Sequence, residues 1–224
     1  MITEVYGNNI AANYDCRAIL APVNKICNDI NTSCLQRLEG AREKTYYSID
    51  QIVEREYIYA KTLGREHLKN LDGSGLPSHA LTLKEGAMVM LIRNLNINQG
   101  LLNGTRLITK RFLEHQVISK IITEGPFQGY EVILPRINLL SAPTGMPFKL
   151  NRIQIPLKLA YAMTINKSQC QTLNKIGIIL TPEKQCFSHG HLYAALSRVS
   201  SGPSGVAVLS TRRGKNVVYK MVFN

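Results

Sequence analysis

The 224-residue sequence predicts an α/β protein: a parallel sheet flanked by helices and split in sequence by a small antiparallel β-barrel. Three observations carry that expectation. Apolar runs of strand length alternate with helical periodicity over the first forty residues, and again after Pro156. Between them lie several short β-rich runs separated by turn residues. No segment approaches about 18 consecutive apolar residues, so nothing reads as a transmembrane helix.

Each element follows in order. RAILAP, Arg17 to Pro22, reads as a buried strand closed by proline. Ile26, Ile30, Cys34, Leu35 and Leu38 then recur at helical spacing, with Gly40 placed as a C-terminal stop. TYYSID, Thr45 to Asp50, reads as a second strand because Thr and Tyr suit a pleated surface. LDGSGLPSH, Leu71 to His79, is a loop by composition, and the texture changes after it. GAMVMLIRN, GTRLITKRF, QVISKIIT and YEVILPRI are short β-rich runs divided by turns such as Asn103-Gly104 and Gly125-Pro126. Strands at that spacing predict a small barrel over Leu83 to Ile155.

From Pro156 the pattern returns to α/β. LKLAYAMT reads as a buried strand, INKSQCQTL opens a short helix, and KIGIIL, Lys175 to Leu180, is another strand. GHLYAALSRV, Gly190 to Val199, reads as a helix with Leu192, Ala195, Leu196 and Val199 on one face, and VAVLS as a final strand. The expected organisation is therefore one α/β domain in two parts, 1–82 and 156–224, with 83–155 inserted between them.

The net charge of +12 is unevenly placed along the chain. From Lys149 onward there are eleven Lys and Arg against one acid, Glu183; the first 148 residues hold sixteen bases and fourteen acids. Such a balance points to a polyanionic partner, most simply nucleic acid, and otherwise to a merely soluble basic surface. The five cysteines, at 16, 27, 34, 170 and 186, form no CxxC and no zinc-like spacing with histidine. An odd count without a secretory signal in MITEVYGNNIAANYD predicts reduced thiols used as buried filler.

The chemistry should sit beyond the C-terminal ends of the parallel strands, where loops enter helices. AYAMTINKSQCQTL, Ala160 to Leu173, lies there. Thr164, Asn166, Lys167 and Ser168 would offer amide, hydroxyl and ammonium donors to a phosphate at a helix N-terminus. The same residues also fit a helix N-cap by Thr164 with solvated neighbours. Arg198, at the end of the next helix and near strand C-termini, could reach a phosphate with its planar fork or simply complement the helix dipole. No GxxxxGK[ST] occurs; EGAREKT, Glu39 to Thr45, lacks the glycine before its Lys, and no strand ends in the paired acids that hold magnesium. His67, His79, His115, His189 and His191 form no HExxH or His/Asp/Ser grouping. His189 and His191 read as caps or surface residues.

RAILAPVNKICNDIN, LKEGAMVMLIRNLNINQGLLNGTRLI, IQIPLKLAYAMTINKSQCQTL and FSHGHLYAALSRVSSG follow one another as in Pif1-like DNA helicases, and resemble most the Helitron type. The resemblance runs from about Arg17 to Leu209. It implies the second of two RecA-like motor domains, carrying an inserted SH3-like β-barrel. It assigns Thr164, Asn166, Lys167 and Ser168 to a motif that grips single-stranded DNA, and Gln169 to the nucleotide-facing part of that motif. Asn24 matches an earlier DNA-track motif, and Arg198 the arginine finger that meets the γ-phosphate. ATP and Mg2+ would serve a complete 5′-to-3′ helicase. The phosphate loop and magnesium-binding acids of the first motor domain have no counterpart in these residues, so productive nucleotide binding by this chain alone is not expected. An intracellular, nuclear setting is implied, without a membrane.

One departure is Cys170, where the family usually has Gly. Two further readings stay open on the sequence: a transposon-derived remnant that binds single strands without hydrolysing ATP, and a basic protein-interaction module. The last is disfavoured by the few aromatics of the barrel segment, Phe112, Phe127, Tyr130 and Phe148.

Overall fold

The computed structural model describes residues 1–10, 16–53, 68–69, 71, 75–142, 148–169, 171–180, 186, 189–200, 205–210 and 217. The chain opens with α1 (Ile2–Tyr6), β1 (Arg17–Ala21) and α2 (Asn24–Gln36). Ten strands follow: β2 (Glu43–Tyr47), β3 (Ile49–Ile52), β4 (Ala80–Lys84), β5 (Met88–Leu91), β6 (Arg106–Phe112), β7 (Gln116–Ile121), β8 (Glu131–Pro135), β9 (Ile137–Ser141), β10 (Leu150–Gln154) and β11 (Leu157–Leu159). It closes with β12 (Ala162–Thr164), a 3-10 turn at Ile165–Ser168, β13 (Lys175–Leu180), α3 (His191–Leu196) and β14 (Val206–Ser210). Two compact units result: Met1–Glu39 with Leu159–Asn224, and Gly40–Lys158.

The first unit is built on a parallel sheet in the order β12-β1-β13-β14. Ile19 stands opposite both Ala162 and Gly177, so β1 is central. That position accounts for its sequence: Ala18, Ile19, Leu20 and Ala21 are all fully buried, the continuous apolar run of a parallel strand covered on both faces. Leu20, Met163, Ile165, Ile176, Ile178 and Ala195 lie in one core cluster. α1, which the sequence did not announce, packs on β1 and β13. Gly177 permits this: a Cβ there would stand 2.7 Å from Val5 Cγ2 and press on Met1 Sδ.

Several expectations are adjusted. α2 ends at Gln36 rather than running to Gly40, and its buried face carries Cys27, Asn31, Cys34 and Leu35, with Ile26 and Ile30 only half-buried. LKLAYAMT is not one strand. It breaks at Ala160-Tyr161 into β11, which lies beside β5, and β12, which pairs with β1 in a different sheet, where the Tyr161 carbonyl accepts from Ile19 N–H (2.9 Å) and Tyr6 Oη (2.6 Å). α3 has only six residues, and Leu196 is 42% exposed. After it the chain forms a parallel bridge, Val199 to Leu173.

The second unit is antiparallel in its β5–β6, β6–β7 and β7–β8 ladders, which belong to a five-stranded sheet ordered β11-β5-β6-β7-β8. A three-stranded sheet, β3-β10-β9, and a β2-β4 pair complete it. TYYSID is two strands, broken where Ser48 Oγ donates to the Asp50 carboxylate at 3.0 Å. The compact unit begins at Gly40, not near Leu83, since β2 pairs with β4 and carries the 40–82 stretch into it. Gly100 takes φ +69° in the loop before β6, and the Phe127 ring lies 2.6 Å from where its Cβ would be. Inside this unit Arg152 is 1% exposed and binds Asp50 with two bonds, Nε–Oδ1 at 2.7 Å and Nη2–Oδ2 at 3.2 Å. No helix among the described residues is long and apolar enough to cross a membrane.

Candidate nucleic-acid interface

Ala21, the last residue of β1, stands opposite Thr164, the last residue of β12. Both chains therefore leave the sheet at the same edge. Beyond Ala21, α2 starts at Asn24, with no side-chain cap and no acid in its first turn, so its positive end is left uncompensated. Beyond Thr164 comes the turn Ile165–Ser168. It was expected to be the start of a helix; a four-residue 3-10 turn has no macrodipole to offer, which leaves its side chains as the groups available to a ligand.

The turn splits its residues by burial. Ile165 and Ser168 point inward and are fully buried, and Ser168 Oγ donates to Ile165 C=O at 2.7 Å. The Ser168 hydroxyl thus closes the turn from inside instead of facing outward. Asn166, Lys167 and Gln169 are exposed, and Thr164 is half-exposed. Thr164 makes no capping hydrogen bond, so the N-cap role considered for it is not what the structure contains. Asn24 and Lys25 are exposed as well. Lys25 was missed in the sequence, although it adjoins Asn24 and gives the edge a second ammonium. No acidic residue occurs in 17–28 or 149–182, but the exposed Asp29 stands one turn beyond Lys25 on α2, so the edge is rich in cations and amides with one flanking acid. Such an edge can take phosphates through Lys and bases or sugars through amides.

Arg198 is differently placed. Its carbonyl accepts from Leu173 N–H at 2.8 Å, and Leu173 lies upstream of β13. Instead of the expected place by strand C-termini, the Arg198 backbone is tied to the stretch just before the start of β13. Its side chain folds onto its own helix end, Nε donating to Ala194 C=O at 3.1 Å and Nη2 to Ser197 Oγ at 3.1 Å. Nη1 donates to no described residue. α3 itself packs against the 165–168 turn.

Cys170, Glu183, Ser201 and Gly202 lie outside the described residues. Burial pushes the Cys27 and Cys34 thiols up to about 12 and also raises Cys186, which makes them core filler. Among the described residues no group of three or more His, Cys, Asp or Glu side chains could hold a metal. His191, expected as a cap or surface residue, is 3% exposed.

An all-parallel sheet with covering helices, entered and left around an antiparallel insert, is a RecA-like α/β fold. Residues 66–112, which include β4 to β6, match the family model "DNA helicase Pif1, 2B domain". ATP-dependent DNA helicase PIF1 of Danio rerio is 36% identical over 135 residues, covering 60% of this chain and 20% of its own length. The crystal structure of Pif1 helicase from Candida albicans superposes with a TM-score of 0.70 at 25% identity, covering 92% of this chain and 48% of that one. A Pif1 helicase from Bacteroides, solved in complex with ADP-AlF3 and ssDNA, shares the fold with a TM-score of 0.65 at 20% identity, over 99% and 47%. The chain is Pif1-like over part of its length. It spans about a fifth of the length of the vertebrate PIF1 relatives it matches and about half of the Candida albicans and Bacteroides chains.

Proposed function

We propose that the chain supplies the single-stranded DNA contacts and the arginine finger of an ATP-dependent 5′-to-3′ DNA helicase of the Pif1 and Helitron type. The observation that carries this reading is the exposed polar edge, poor in acids, made by Asn24 and Lys25 on one side and Thr164, Asn166, Lys167 and Gln169 on the other, joined by the Ala21–Thr164 pairing. The name of the zebrafish relative and the ssDNA in the Bacteroides complex point the same way. Single strands are held by such edges through phosphate charge and sequence-tolerant polar contacts. Gln169 would face the nucleotide, and Arg198 would turn its guanidinium toward the γ-phosphate when ATP is bound.

The described residues do not fit Mg2+, since they gather no carboxylate cluster. The sequence also holds no GxxxxGK[ST] loop. The first motor domain would have to bring both, and this chain's share of the cycle is to hold the strand and present Arg198.

The alternative reading is a transposon-derived remnant that binds strands without turnover. A reading frame continuing upstream of Met1 through a GxxxxGK[ST] loop would select the helicase. Both readings require the edge to bind. Titrating a fluorescent oligo-dT against the chain over a salt series tests that requirement. Lys167→Ala is expected to weaken binding severalfold and to reduce the slope of log K against log salt by about 0.7, one phosphate's worth on single strands. Unchanged affinity and slope would remove the 164–169 turn from the interface.

A further inference from the structure

We propose that Asn31 is a positioning residue that locks the polar turn to α2, so that the two halves of the DNA-binding edge are held as one piece; this rests on the reading of that edge given above. Asn31 lies on the inner face of α2 and is 6% exposed. Its Nδ2 donates to Ala162 C=O at 2.9 Å and to Leu159 C=O at 3.3 Å, and its Oδ1 accepts from Ala162 N–H at 2.8 Å. One side-chain amide thus satisfies both backbone groups of a single residue.

Those two groups need a partner for a topological reason. Among the described residues β12 is the outermost strand of its sheet, next to β1 alone. In the parallel ladder Ile19, opposite Ala162, bonds to the Tyr161 carbonyl, so the N–H and C=O of Ala162 face away from β1. An edge strand of three residues with open groups would slide or fray. Asn31 takes the place of the absent neighbouring strand. Tyr6 adds a clamp from α1, its hydroxyl donating to the Tyr161 carbonyl at 2.6 Å. The Tyr161–Ala162 peptide is therefore gripped from α1, β1 and α2 at once.

Thr164 is two residues further on and the exposed Asn166 and Lys167 four and five. A bound strand spans both Asn24 and this turn, so its affinity depends on their spacing, and side chains misplaced by more than about 0.5 Å lose their contacts. Asn31, seven residues after Asn24 on the same helix, sets that spacing.

The test uses the full chain, oligo-dT binding by fluorescence anisotropy, and amide hydrogen exchange. Asn31→Asp keeps the shape and the acceptor but turns a carboxylate oxygen toward the Leu159 and Ala162 carbonyls. Expected are about tenfold weaker binding, which is about 1.4 kcal/mol, and faster exchange confined to Ala162–Gln169 while β13 keeps its protection. A merely structural Asn31 would lower protection uniformly and leave the folded protein's affinity alone; that outcome overturns the proposal. Should Asn31→Asp not fold, Tyr6→Phe removes only the hydroxyl from the same junction. It is expected to weaken binding about threefold, on the scale of one neutral hydrogen bond, and wild-type affinity in this variant equally overturns the proposal. Failure of the wild-type chain to bind at all is seen before any variant is made, and sinks the edge itself together with its positioning residue.

Discussion

His191 begins α3 with almost none of its surface in water, and desolvation lowers its pKa from the ordinary 6.5. In the unfolded chain the same imidazole titrates near 6.5. Above that pH both states are neutral and the residue contributes no pH dependence. As the pH falls below 6.5 the unfolded state takes up a proton that the folded state refuses, so stability is lost. Urea midpoints of the wild-type chain should therefore decline on acidification just below pH 6.5, ahead of carboxylate protonation. His191→Gln should flatten that part of the profile; an unchanged profile would mean that the buried imidazole is not the group responsible. At this scale the sequence was readable where chemistry is local. Asn24, Thr164, Asn166 and Lys167 could be placed at strand ends from the motif alone, but the inward turn of Ser168 could not. Asn31 and Arg152 were missed because what defines each is a partner 131 or 102 residues away.

Strands were easier to detect than to divide. RAILA and KIGIIL were recognisable because burial on both faces demands uninterrupted apolar residues. TYYSID and LKLAYAMT looked continuous because side-chain periodicity carries no record of a chain passing from one sheet to the next, as β2 to β3 and β11 to β12 do. β10 shows what alternation does carry: Leu150, Arg152 and Gln154 share the inward face, which commits a guanidinium to the interior. That charge is answered by Asp50 on β3, whose carboxylate also accepts from Ser48 and lies 3.3 Å from His79 Nδ1. Arg152 further donates to Pro77 C=O at 2.9 Å and Leu68 C=O at 3.0 Å, pinning the stretch before β4 to the sheet. Asp50→Asn would leave a buried cation with only neutral partners. By the usual cost of breaking a buried pair it should destabilise the 40–158 unit by about 3–5 kcal/mol in urea denaturation. A loss below about 1 kcal/mol would show that water reaches the pair.

The charge asymmetry that pointed to a polyanionic partner belongs to the sequence and not to the folded units. Met1–Glu39 with Leu159–Asn224 holds eleven bases and five acids, and Gly40–Lys158 sixteen and ten, an excess of six in each. At the scale of the molecule DNA binding therefore depends on where acids are sparse, and around Asn24 and Thr164 the sequence places only Asp29, one turn beyond Lys25. That edge and its positioning residue lie wholly in the first unit, which has its own core of Leu20, Met163, Ile165, Ile176 and Ile178. The ends left by removing the insert are close: Leu159 C=O is 3.3 Å from Asn31 Nδ2, and at 1.5 Å per residue the helix ends about 8 Å beyond Asn31. A Gly/Ser linker of about eight residues, with a mean span of about 16 Å, bridges that gap without strain. Replacing Gly40–Lys158 by such a linker should leave a folded α/β protein by circular dichroism. Its oligo-dT affinity should stay within about threefold of the whole chain at equal salt, since no contact of the edge is lost and the net charge still favours the strand. A folded product that no longer binds would transfer the interface to the antiparallel unit, and with it the role assigned to Lys167.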